Sequence, residues 1–241
     1  MKKALLYVCT QNLVFLLLLL LSGTFGGAFG EVLYYLAFLL PYLLTLALAR
    51  GDRAAYKAPK IATSFKNLRY VIPIIIPTTQ IIFIASFVSS LIFESQGADV
   101  SGNLGLVIIT HVLITAILEE AFFRYLPLAL LSPHSKKAAI FISAFFFAFL
   151  HLNFHQFVYA FVAGVIFATL DVVFDSIMPS VIIHFVNNLL SVLLLRYSEN
   201  RLFFALYISV LSVLTLTSLV FIYARRRVYT GLIRKNLKDK R

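Results

Sequence analysis

Eight apolar runs, at about residues 4–22, 31–49, 70–93, 104–131, 138–153, 156–174, 177–196 and 202–224, take up most of this chain. A bilayer core about 30 Å thick calls for roughly 20 apolar residues per helical crossing. Inside it no water is available to the backbone, so each crossing must pair its own N–H and C=O groups, which a helix does. The expected fold is therefore all-α, a polytopic transmembrane helical bundle of about eight spans forming a single transmembrane domain over residues 1–241. The fifth run is the weakest. Sixteen residues are short for a full crossing, and Asn153, His155 and Gln156 are the only break before the sixth run, which suits a turn buried within protein.

With 61% hydrophobic and 13% charged residues, the chain lacks the polar surface to cover a soluble globule, and eight spans leave no length for a soluble domain. Lipid is its solvent. A net charge of +11 on a soluble fold would suggest nucleic acid, but here the bases fall between and after the apolar runs, so no nucleic-acid partner is expected. Lys2 and Lys3, six bases from Arg50 to Arg69, Lys136 and Lys137, and eight from Arg225 to Arg241 account for 18 of the 21 Lys and Arg. All four groups fall on one side of an eight-span arrangement. The positive-inside rule then makes both termini cytoplasmic in a multi-pass protein of the cell membrane. Arg196 and Arg201 belong to the opposite mouth, and the loop with Glu94 and Asp99 has no base. A cleaved signal peptide is disfavoured, because the run from Ala4 to Leu21 exceeds a usual signal core. The segment from Arg50 to Arg69 reads equally as an amphipathic helix on anionic lipid or as a solvated loop. The single cysteine, Cys9, excludes an intrachain disulfide.

An ionisable side chain within a span costs several kcal/mol, so those present should face the protein interior and find partners. The fourth span holds Glu119-Glu120-Ala121-Phe122-Phe123-Arg124, the fifth ends in Phe147-Ala148-Phe149-Leu150-His151, and the seventh holds His184-Phe185-Val186-Asn187-Asn188. Glu120 and Arg124, four apart on a helix, can pair without help. Glu119, turned about 100° away, must find another partner or be protonated, and a carboxyl in such a site suits proton transfer. A rise of 1.5 Å per residue puts Glu119 roughly 18 Å, His151 roughly 20 Å, His184 roughly 10 Å and Asn188 roughly 16 Å from the cytoplasmic helix ends. One such pair would serve as interhelical glue. So many costly groups in one layer point to a site, with its core in residues 104–196.

No strained nucleophilic serine, His-Glu-x-x-His pair or Cys–His pair is visible, so water activation is what remains. Glu119 with His151 would deprotonate a water while His184 and Asn188 donate to the developing oxyanion. The order Glu-Glu-x-x-x-Arg, Phe-x-x-x-His, His-x-x-x-Asn, over residues 119–188, resembles the CPBP or Abi family of intramembrane proteases, which includes the type II CAAX prenyl endopeptidases. The resemblance implies hydrolysis of a peptide or membrane-protein substrate, with Glu119 and His151 activating water, His184 and Asn188 forming the oxyanion site, and Glu120 with Arg124 supporting the first pair. It also implies either CAAX-type cleavage or, as in many bacterial relatives, bacteriocin self-immunity or peptide processing. The family's metalloprotease label implies one zinc on Glu119, His151 and His184, while a Glu–His pair also works without metal.

Two other readings compete: a transporter with a buried proton relay, and a non-catalytic immunity or scaffold protein. Elsewhere packing is the expectation for His111, with extension of the polar cavity as its alternative. Asp171 and Asp175 read as capping or snorkelling groups, His134 as a loop residue, and His155 as satisfying a turn. Gly164 and Ala168 have the spacing for close helix approach.

Overall fold

In the computed structural model, which describes residues 1–51, 65–94, 100 and 102–237, the apolar runs are helices. They are α1 (Lys2–Gly23), α2 (Gly27–Arg50), α3 (Phe65–Ser90), α4 (Leu104–Leu131), α5 (Lys136–Phe149), α6 (Phe154–Phe174), α7 (Met178–Tyr197) and α8 (Arg201–Ala224), followed by a short α9 (Arg226–Asn236). Among the described residues there is no β-strand. Seven of these helices, all but α5 and α9, are long and apolar enough to cross a membrane. Residues 52–64, most of the basic stretch between the second and third runs, lie outside the described residues, as does Asp99.

The fifth run is the one that departs from membrane length. At 14 residues α5 reaches only about 21 Å. It ends in a tight reversal: Leu152 takes a left-handed backbone with φ 53°, and the Asn153 side chain accepts the Gln156 N–H at 3.1 Å to start α6. α6 returns antiparallel along α5, with Gly164 against Ala144; a Cβ on Gly164 would sit 2.9 Å from the Ala144 Cα, so only glycine permits this approach. The turn and the small-residue contact expected from the sequence are both present, but the turn is not buried within protein, since Leu152 and Phe154 are exposed. At the α1–α2 reversal Gly30 plays a similar part, because a Cβ there would overlap the Phe25 carbonyl.

One end of the bundle gathers the start of α1 and the helix α9. The Met1 amine lies 3.0 Å from the His134 ring, Lys136 Nζ donates to the Asn236 carbonyl at 2.5 Å, and Tyr229 Oη donates to the Tyr70 carbonyl at 3.0 Å. The N-terminus, the α4–α5 loop, the start of α3 and α9 therefore share a face, as an even number of traverses with a short fifth helix requires. α9 packs Val228, Tyr229 and Leu232 against Tyr70, Val71, Val173 and Phe174, leaving its bases exposed. At the other end Arg196 donates to the Val100 and Gly102 carbonyls at 3.1 and 3.0 Å, tying the end of α7 to the approach to α4.

Candidate active site

The short α5 decides where the site can be. Because it stops about 21 Å from its start, His151 is delivered inside the bundle rather than at the far membrane face. His151 Nδ1 lies 2.6 Å from the Phe147 carbonyl one turn back, so Nδ1–H donates and Nε2 is left as the available nitrogen. The Phe147 ring does a second job: the Arg124 guanidinium sits over it at 4.4 Å, with the Phe167 ring at 5.9 Å.

Glu120 and Arg124 are fully buried and pair as the spacing predicts, Arg124 Nε lying 3.4 Å from Glu120 Oε2. The other oxygen, Oε1, lies 2.8 Å from His184 Nδ1. A carboxylate on Nδ1 assigns that nitrogen its proton and turns Nε2 outward, where Glu119 Oε2 lies at 3.7 Å. His184 thus sits between two carboxylates from successive positions of α4. The Glu120–Arg124 pair thus contacts His184 directly, and Glu119 lies on the other nitrogen of the same ring. Helix rotation is the reason. Glu119 and Glu120, about 100° apart, straddle the facing α7 histidine instead of dividing between two helices.

Glu119, His151, His184 and Asn188 line one cavity of about 140 Å³, with Asn187 beside them and Gln156 and Tyr159 of α6 opposite. Four of the six expected residues thus face one space, and the other two are buried behind His184. With this geometry established, comparison with known proteins finds a family model that matches part of the chain. Residues 101–190 match the Rce1-like family. Its description is Type II CAAX prenyl endopeptidase Rce1-like, and the matched segment takes in all three motifs, consistent with the CPBP/Abi resemblance. No curated protein matches the chain, and no solved structure does. The matched segment lies within a bundle of membrane-length helices.

Several residues of the Rce1-like segment act in ways the sequence did not reveal. Asp171, only 1% exposed, accepts both the Ser180 N–H at 3.1 Å and the Ser180 hydroxyl at 2.8 Å. It caps the first turn of α7 one turn before His184. Capping was expected of Asp171; burial beside the site was not. Asn187 shares the cavity, and its Oδ1 is buried without a hydrogen-bond partner among the described residues. In the sequence Gln156 reads only as part of a helix break, and Tyr159 has no signal beyond its place in an apolar run. His155 is buried, and its carbonyl accepts the Ser89 hydroxyl at 2.8 Å. His111 is exposed and does not line the cavity, so neither expectation for it holds.

For a metal, Nε2 of His151, Nε2 of His184 and the Glu119 carboxylate are the donors that border the cavity, and the Glu120 contact at His184 Nδ1 is the kind of carboxylate support a metal-bound imidazole has. Among the described residues no three His, Cys, Asp or Glu side chains are already drawn together at metal-ligand spacing.

Proposed function

We propose that this protein is an intramembrane endopeptidase that hydrolyses a peptide bond with a water activated by Glu119 and His151. The observation that carries this reading is His184, held at Nδ1 by Glu120 and presenting Nε2 to the cavity that Glu119, His151 and Asn188 also line. Arg124 offsets one of the two adjacent carboxylates, and an imidazolium at His184 offsets the other, which keeps a charged cluster tolerable inside lipid. The chemistry follows from these positions. Glu119, aided by His151 Nε2, takes a proton from water, and the hydroxide attacks the carbonyl carbon. His184 Nε2–H and the Asn188 amide donate to the oxygen as it becomes negative, and the proton taken from water passes to the departing amine. No step needs a metal.

The proposed substrate is a peptide, free or at the end of a membrane protein, entering from the basic end, which we place at the cytoplasmic face. The test is cleavage of a membrane-tethered peptide by the purified protein in proteoliposomes. Glu119→Ala should lower turnover at least ~100-fold with helical circular dichroism unchanged, and cleavage that survives the substitution refutes the assignment. Chelator treatment should leave turnover intact; activity lost to chelation and restored by zinc would instead make Glu119, His151 and His184 a metal site.

A further inference from the structure

α4 carries Pro127 in the turn after the Glu120–Arg124 pair. Lacking an N–H, Pro127 cannot donate to the carbonyl four residues back, Phe123, as an α-helix needs, nor to that five back, Phe122, as a π-helix needs. α4 widens into a π turn over Ala121–Tyr125 just there. Both carbonyls are nevertheless paired, each by a side chain from a different helix. Gln11 Nε2 of α1 donates to Phe122 O at 2.9 Å, and Ser143 Oγ of α5 donates to Phe123 O at 2.6 Å. Ser143 Oγ also accepts from Arg124 Nη1 at 3.4 Å.

Gln11 is an unexpected residue for a packing position. It is 1% exposed, its neighbours on that face of α1 are the buried Val8 and Phe15, and its own Oε1 is buried with no hydrogen-bond partner among the described residues. An amide half-used in this way costs free energy that a leucine or methionine would avoid. What the amide provides is a clamp on the π turn, and that turn separates Glu120 from Arg124. The angle between those two side chains, and so the placement of Glu120 on His184, depends on the turn holding its width.

We infer that Gln11 is a positioning residue for the site: with Ser143 it holds the π turn of α4, and it does so from α1, outside the matched segment 101–190. Only the activity arm of the test rests on the proteolytic reading. In full-length protein, Gln11→Met should lower kcat on a membrane-tethered peptide about tenfold while KM stays within about twofold. Ser143→Ala should do the same, and Ser143→Thr, which keeps the hydroxyl, should restore near-parental turnover. The second arm needs no substrate. In protein labelled at histidine, the ring signals of His184, assigned with His184→Gln, should shift in Gln11→Met as the Glu120 contact loosens. A Gln11→Met protein that is merely less heat-stable, with parental kcat and unshifted His184 signals, overturns the inference. If the parent cleaves nothing, the proteolytic reading fails and the His184 signals alone decide. If Gln11→Met does not fold, the Ser143→Ala and Ser143→Thr pair carries both arms.

Discussion

Helices α4 and α8 are both long and apolar enough to cross a membrane, yet they occupy opposite situations. α8 has no ionisable side chain between Arg201 and Arg225 apart from two tyrosines, buries only Leu211, and presents leucine, valine and phenylalanine outward. α4 carries Glu119, Glu120 and Arg124 and is walled in by neighbours around them. Lipid is as apolar as leucine, so apolar side chains give a helix little reason to leave the periphery. The charged groups do, because only protein can solvate them. Within this fold, polar residues rather than apolar ones specify which helices form the centre.

The largest test of that contrast is Glu120→Leu. It strands Arg124 without its carboxylate and frees His184 Nδ1, and the expected loss is about 3–5 kcal/mol of stability, read as a lowered midpoint of unfolding in mixed SDS micelles, with no activity. Next is the reverse change, giving α8 what α4 has. Val213→Glu, mid-span and lipid-facing, should cost about 2.5–3.5 kcal/mol, seen as reduced membrane insertion in a translocation assay; insertion as efficient as the parent would sink the explanation. Asp171→Ala removes two accepted hydrogen bonds and should cost about 1–3 kcal/mol, with faster hydrogen exchange at the start of α7. The smallest effect is expected at the turn that ends α5. Leu152→Gly relieves a left-handed backbone at an exposed side chain and should change stability by at most about 1 kcal/mol in the favourable direction, measured by the same SDS titration.

Much of the site was readable as residues but not as partnerships. The three motifs mark Glu119, Glu120, Arg124, His151, His184 and Asn188 because ionisable groups within apolar runs are conspicuous wherever they occur. Their pairing was not readable. That Glu120 would turn to His184, with Arg124 on its other oxygen, depends on how α4 and α7 are rotated against each other. His111 shows how a local irregularity defeats spacing arguments. Eight residues before Glu119 it belongs to a similar face of an ideal α-helix, but the π segment Ile108–Ile114 shifts the register and leaves it exposed. Gln11 was beyond reach altogether, since its partner carbonyl lies 111 positions away and any buried glutamine in a span reads as glue.

Membrane residence, the helical class, the gathering of basic residues at one end and the short fifth run were determined by the sequence alone. Each rests on a local quantity: the length of an apolar run against the thickness of a bilayer, or the position of a base relative to a span. Tertiary structure decided the rest, including which carboxylate meets which histidine, what pairs the carbonyls that Pro127 leaves open, and that Asp171 is buried next to the site. Those outcomes depend on helix rotation and depth, which are set by packing between segments far apart in the chain, and no single stretch of sequence carries that information.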